Sequence, residues 1–299
     1  MIQPPYLRKG DKIAIVAPAR RISLDEVHPG IKLFQKWGLE VVLGTYLFGT
    51  ENQFSGSDSQ RQADFQQMLD DPSIRAIICA RGGYGTVRII DNLDFTGFCR
   101  NPKWIVGFSD ITVFHSHIQK HFGIETLHSV MPVNIKESDF TNDSIESLRK
   151  ALFGEKLFYS KPITFHFKTG LSEGILAGGN LSILYSLMGT ASEVDTSGKI
   201  LFLEDVDEYL YHIDRMMMSL KRAGKLSKLN GMIVGGMDRM NDNEIPFGKT
   251  ASEIIAEAVA EYNYPVCYDF PAGHGEINLT LILGRRIRFK VDKNMEVKF

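Results

Sequence analysis

"WIVGFSDITVFHSH" (residues 104–117) changes from one kind of chain into another within three residues. Trp104 to Val106 is a short apolar run of strand character, Gly107 allows a sharp turn, and the residues after Ser109 take the apolar spacing of a helix. A strand that runs straight into a helix is half of a βαβ unit, and chains built of such units form parallel sheets covered on both faces. The flanking sequence repeats the pattern. "KIAIVAP" (12–18), "EVVLG" (40–44) and "AIICA" (76–80) read as strands; helices are expected from about Ser23 to Trp37, from about Ser59 to Leu69 and from near Tyr84. The fold class is therefore α/β, with an N-terminal doubly wound parallel-sheet domain.

Ligands of such sheets bind beyond the carboxyl ends of the strands, where loops converge. Both "GFSD" (107–110) and "ARGGYG" (80–85) fall on that edge. Ser109 has two readings. Serine is a common N-cap that does nothing more than accept a backbone N–H. A serine at a sharp strand-to-helix turn also projects its hydroxyl from the sheet edge, in front of a helix N-terminus whose free N–H groups suit an oxyanion. Gly107 stands two before the serine as a nucleophile elbow requires, but Ile111 stands where the full G-x-S-x-G pattern has its second glycine. The consecutive glycines of "ARGGYG" permit positive φ and leave N–H groups uncovered, as an anion nest needs, although a plain tight turn reads the same way. The spacing is wrong for a dinucleotide fingerprint.

A serine nucleophile needs a base, and the base needs an orienting carboxylate. His115, His117, His121 and His128 crowd after Ser109. His117 and His121 lie one helical turn apart, but no third ligand accompanies them, so no metal and no cofactor are expected. His274, in "FPAGHGEINLTLILG", stands in a glycine-flanked loop without periodicity. Glu204 ends the apolar strand "KILFLED" (199–205), a place where a carboxylate wants a partner, and Asp205 beside it points to the other face.

Past Leu152 the helical period stops. Residues 152–171 read as a crossover between a first domain (1–151) and a second, mixed and β-rich domain (172–299); Ser109 falls in the first and Glu204 and His274 in the second, so an active site that joined them would lie at the domain interface. The remainder is mixed: the stretch 174–190, strands at 199–205 and 231–236, helices from about Glu208 to Ala223 and near Thr250 to Tyr262, the segment 265–270, and short strands from Leu279 onward.

The composition narrows the partners. The 34 basic and 36 acidic residues are well mixed, so the chain lacks the basic footprint of a nucleic-acid or anionic-membrane binder. No apolar run approaches the roughly 18 residues of a membrane span. The opening residues lack the basic segment and apolar core of a signal peptide, and three dispersed cysteines suit free thiols; a cytoplasmic protein is expected.

Taken in order, "ARGGYG", "GFSDIT", "GGNLS" (178–182), "LFLED" and "PAGHG" (271–275) resemble the LD-carboxypeptidase family, serine peptidases of the clan that includes the microcin C immunity protein. The resemblance spans nearly the whole chain. It implies a catalytic triad of Ser109, Glu204 and His274, an oxyanion hole from the backbone N–H groups of Gly83 and Asp110, and Asn180 in the substrate pocket. It further implies release of the terminal D-alanine from cytoplasmic muropeptide tetrapeptides in cell-wall recycling, and a homodimer. A peptidase acting on peptidyl or aminoacyl nucleotides is the alternative. That chemistry wants an aromatic platform, and residues 134–172 offer Phe153, Phe158, Tyr159, Phe165 and Phe167 but no tryptophan or long insertion. A non-enzymatic binding protein on the same fold is a further alternative, which the presence of all three candidate triad residues opposes.

Overall fold

The computed structural model describes residues 1–163 and 165–299, without the side chains of Asp139, His166 and Phe167; the Thr164 of the expected crossover lies outside them. Two mixed sheets with flanking helices form two lobes. In the first lobe β1 (Lys12–Val16), β2 (Glu40–Leu43), β3 (Ile74–Cys79), β4 (Trp104–Gly107) and β5 (Thr126–His128) run parallel in the order β5-β4-β3-β1-β2. Alternate residues of β1 enter different cores. Ile13 and Ile15 pack with Val27 and Leu33 of α1 (Leu24–Lys36) and with α5 (Asp143–Phe153), while Ala14 and Val16 pack toward α2 (Asp58–Asp70), α3 (Thr96–Arg100) and α4 (Thr112–His121). A strand buried on both faces has to be apolar throughout, which is why these runs show no alternation. Capping boxes set the helix starts: Ser23 with Glu26 for α1 and Ser57 with Gln60 for α2.

One expected helix does not form. After Tyr84 the chain makes 3-10 turns at Thr86–Arg88 and Ile90–Asn92, and only Thr96–Arg100 is α-helical. Gly85 sits at φ 147°, and the Thr86 N–H is taken by the Asp110 carboxylate, so tertiary contacts hold this segment in turns.

The second lobe contains β6 (Phe158–Pro162), β7 (His166–Lys168), β8 (Gly170–Asn180), β9 (Lys199–Val206), β10 (Gly231–Asp238) and β11 (Val266–Cys267). Near the end of the chain come β12 (Leu281–Leu283), β13 (Arg286–Val291) and β14 (Asn294–Lys298). Among the described residues the second sheet has the order β6-β14-β13-β8-β9-β10-β11-β7, with β8 to β11 parallel. Helices α6 (Leu181–Ser186), α7 (Leu210–Arg222) and α8 (Ala251–Ala258) cover one of its faces.

β12 departs from its neighbours. It pairs antiparallel with β5, Leu281 opposite His128, and so belongs to the first sheet. Ile282 enters the core beneath α1 and α5, whereas Leu281 and Leu283 pack with Leu176, Ile200 and Phe202 of the second lobe. The first sheet is thus parallel except for an edge strand drawn from the far end of the chain.

Candidate active site

β4 is fully buried and delivers the chain to the sheet edge, where Phe108 is extended and Ser109 takes φ 62°. A left-handed non-glycine residue costs on the order of 1–3 kcal/mol and persists only where its surroundings enforce it. Ile111, where the full pattern has its second glycine, packs against the first. A Cβ on Gly107 would lie 2.8 Å from Ile111 Cγ1, so the elbow closes with the isoleucine packed over the one glycine it needs. Ser109 is not the cap of the following helix: it lies inside a 3-10 turn, Ser109–Ile111, whose N-cap is Phe108 without a side-chain bond. The capping role therefore does not account for the hydroxyl.

The glycine-rich loop packs on this elbow. A Cβ at Gly82 would come within 3.0 Å of Ser109 Cβ and 3.3 Å of its Oγ. Gly83 has φ 111°, and Arg20 lies across it so closely that any side chain would collide. The peptide joining Gly82 and Gly83 therefore borders the serine, on one side, and the Ser109–Asp110 peptide borders it on the other. Asp110 is buried, and burial raises its carboxyl pKa.

From the second lobe, β9 brings Glu204 to full burial, and its Oε2 lies 2.7 Å from His274 Nδ1. A carboxylate can only accept, so Nδ1 carries the hydrogen and Nε2 keeps the lone pair of a base. Gly273 makes the approach possible, because a Cβ there would stand 3.0 Å from Glu204 Oε2. Burial pulls the His274 pKa down, but the Glu204 hydrogen bond and the charges of Glu204, Asp205 and Asp238 outweigh it and leave the pKa raised. The imidazole ring packs on Phe108, the residue preceding Ser109, with centroids 4.8 Å apart. The Ser109 turn and the His274–Glu204 pair thus meet across Phe108, and Phe108 and His274 line a cleft of about 630 Å³ together with Asn134, Lys136, Arg239 and Glu276.

The His274 loop is fastened to the first lobe as well. The Asn278 side chain accepts the Gly273 N–H, the Asn278 N–H donates to Ser144 Oγ of α5, and the Thr280 N–H donates to Ser147 Oγ. Nothing about Ser144 or Ser147 in a helix marks them as anchors in the sequence.

Asn180, which the resemblance puts in the substrate pocket, ends β8. It is buried, its Oδ1 accepts the Ile183 N–H as the cap of α6, and its Nδ2 donates to Asp205 Oδ1. Asp205 also accepts from Val206 and Ser182 N–H groups on the face of β9 opposite Glu204. Burial, then the charge of Glu204, pushes the Asp205 pKa up to about 7. Neither Asn180 nor Ser109 is among the residues that line the cleft beside His274.

His117 and His121 do not converge on a ligand position. His117 Nδ1 bonds Ser192 Oγ and His121 Nε2 bonds the Ala191 carbonyl, and among the described residues no group of three His, Cys, Asp or Glu side chains is arranged to hold a metal. Nor, among them, is any helix long and apolar enough to cross a membrane.

Residues 13–129 match the model of the LD-carboxypeptidase N-terminal domain and residues 173–289 that of the C-terminal domain. The chain is 33% identical over 296 residues to a probable murein peptide carboxypeptidase of Bacillus subtilis, covering 95% of this chain and 90% of that protein. It is 25% identical to the microcin C7 self-immunity protein MccF of Escherichia coli, over 97% and 94% of the two chains. The crystal structure of muramoyltetrapeptide carboxypeptidase from Oxalobacter formigenes superposes with a TM-score of 0.86 at 25% identity, covering 96% of this chain and 98% of that one. The chain belongs to the LD-carboxypeptidase family and is a serine peptidase, a hydrolase of peptide bonds built on that family's two-domain α/β fold.

Proposed function

We propose that Ser109, His274 and Glu204 are the catalytic triad of a cytoplasmic LD-carboxypeptidase that releases the terminal D-alanine from muropeptide tetrapeptides. The observation that carries this reading is the 2.7 Å His274–Glu204 bond packed against the strained Ser109 elbow through Phe108. His274 Nε2 takes the Ser109 proton as Oγ attacks the carbonyl of the L-configured diamino acid. The tetrahedral oxyanion is received by the N–H groups of Gly83 and Asp110. His274 then protonates the departing D-alanine amine, and water hydrolyses the acyl-enzyme by the reverse proton path. Glu204 holds the tautomer and stabilises the imidazolium.

The cleft beside His274 supports an anionic peptide substrate, since Lys136 and Arg239 are among its lining residues and can meet carboxylates. Three free cysteines fit a reducing compartment. A homodimer, which the family likeness implies, is checked by light scattering. The test of function is mass spectrometry of a muropeptide tetrapeptide incubated with the protein: loss of one D-alanine, with D-Ala-D-Ala termini uncut, is expected.

The similarity to the Escherichia coli self-immunity protein keeps a peptidyl- or aminoacyl-nucleotide substrate as the second reading. Faster turnover of an aminoacyl sulfamoyl adenosine than of the tetrapeptide would reverse the order.

A further inference from the structure

The loop facing the nucleophile is tied to it through one side chain. The Thr86 N–H donates to Asp110 Oδ2 at 2.9 Å, and the Thr86 hydroxyl lies 2.7 Å from the Asp110 carbonyl oxygen and 2.8 Å from Oδ2. Both residues are buried, so these bonds are shielded from water. Thr86 immediately follows the glycine-rich loop, and Asp110 immediately follows Ser109. Joining them fixes the distance between the Gly82–Gly83 peptide and the Ser109–Asp110 peptide, the two that border the serine.

The same loop is braced from behind. Arg61, fully buried, donates through Nη1 to the Gly85 carbonyl at 3.0 Å and to the Pro18 carbonyl at 2.6 Å, and pairs with Asp58. Gly85 and Thr86 are thus held from two directions, by a guanidinium on the carbonyl of one and a carboxylate on the N–H of the other. Loops of this glycine content are otherwise free to move, and an oxyanion site works only when its donors are in place before the charge develops.

We infer that Thr86 is a positioning residue of the oxyanion site: its bonds to Asp110 set the separation of the Gly83 and Asp110 N–H groups. The inference rests on the triad reading above. A misplacement of about 1 Å in such a site costs roughly 100-fold in rate, so a side chain that touches no substrate still governs kcat.

Thr86→Val keeps the shape and the backbone N–H but removes the hydroxyl, and Thr86→Ser keeps the hydroxyl. For each folded variant kcat and KM are measured on the muropeptide tetrapeptide. A second readout is the inhibition constant of a peptide whose L-lysine carboxyl is replaced by a boronic acid, since its serine adduct carries the oxyanion charge. Thr86→Val is expected to lower kcat about tenfold or more with KM within about twofold, and to weaken the boronate by a similar factor, while Thr86→Ser restores both. Thr86→Ala supplies the same contrast if the valine variant does not fold. A folded Thr86→Val or Thr86→Ala protein with wild-type kcat overturns the inference, as does a Thr86→Ser protein no better than either. An active Ser109→Ala protein would remove the triad reading itself; an inactive one beside a fully active Thr86→Val removes only the role of Thr86.

Discussion

The phenyl ring of Phe108 and the imidazole of His274 lie 4.8 Å apart at 59°, and this is where the first lobe's elbow meets the second lobe's base. Phe108 is nearly fully buried, so its ring is a fixed wall that limits how His274 can rotate about its bond to Glu204. Phe108→Leu keeps an apolar side chain but removes the flat face. We expect kcat to fall about tenfold while stability changes by less than about 1.5 kcal/mol, read from steady-state kinetics beside urea unfolding.

The triad assignment makes an ordered set of losses. Ser109→Ala should reduce kcat by about 10⁶, His274→Ala nearly as much, and Glu204→Gln less, because Glu204 never exchanges a proton with substrate. All three proteins should give the circular dichroism of the parent. Equal turnover by parent and Ser109→Ala would end the serine mechanism.

The pH profile follows from the raised pKa of His274. Nε2 must be unprotonated to accept the serine proton, so kcat/KM should fall as pH drops through a value above the ordinary 6.5 of histidine. Stability has the opposite sense: the imidazolium–Glu204 contribution is complete below the unfolded-state pKa and is lost as pH rises through the higher folded-state pKa. Glu204→Gln removes the ion-pair stabilisation and should move the acid limb of kcat/KM to lower pH, measured between about pH 5 and 9.

Chelators should leave activity intact, since the serine is activated by an imidazole–carboxylate pair. Incubation with EDTA or phenanthroline followed by a D-alanine release assay checks this. Activity that disappears and returns with added zinc would redirect attention to His117 and His121, whose rings stand 4.5 Å apart.

The first-lobe strands were legible in the sequence as uninterrupted apolar runs, and α1 begins at its cap Ser23 where the helix is expected, while α2 begins at its cap Ser57, two residues before the expected Ser59, and the turn at Ser109 has no side-chain cap at all. The segment after Tyr84 was not, because what decides it is the Asp110 carboxylate 24 residues away taking the Thr86 N–H. Asn180 stood out by its motif, yet its bonds go to Asp205 and the α6 backbone, partners that no spacing reveals. The anchoring serines of α5 follow the same rule: Ser144 and Ser147 read as ordinary helix residues until Asn278 and Thr280 arrive from the other end of the chain.

The pairing of β12 with β5 has a consequence for how this protein can be divided. A fragment ending near residue 152 would contain the whole parallel run β1 to β5, yet β5 would present the bare N–H and C=O groups that Leu281 to Leu283 cover in the intact chain. An uncovered sheet edge that the intact chain keeps buried recruits other strands, so such a fragment should precipitate or self-associate instead of persisting as a soluble half. Supplying a peptide of residues 278–285 should suppress that association.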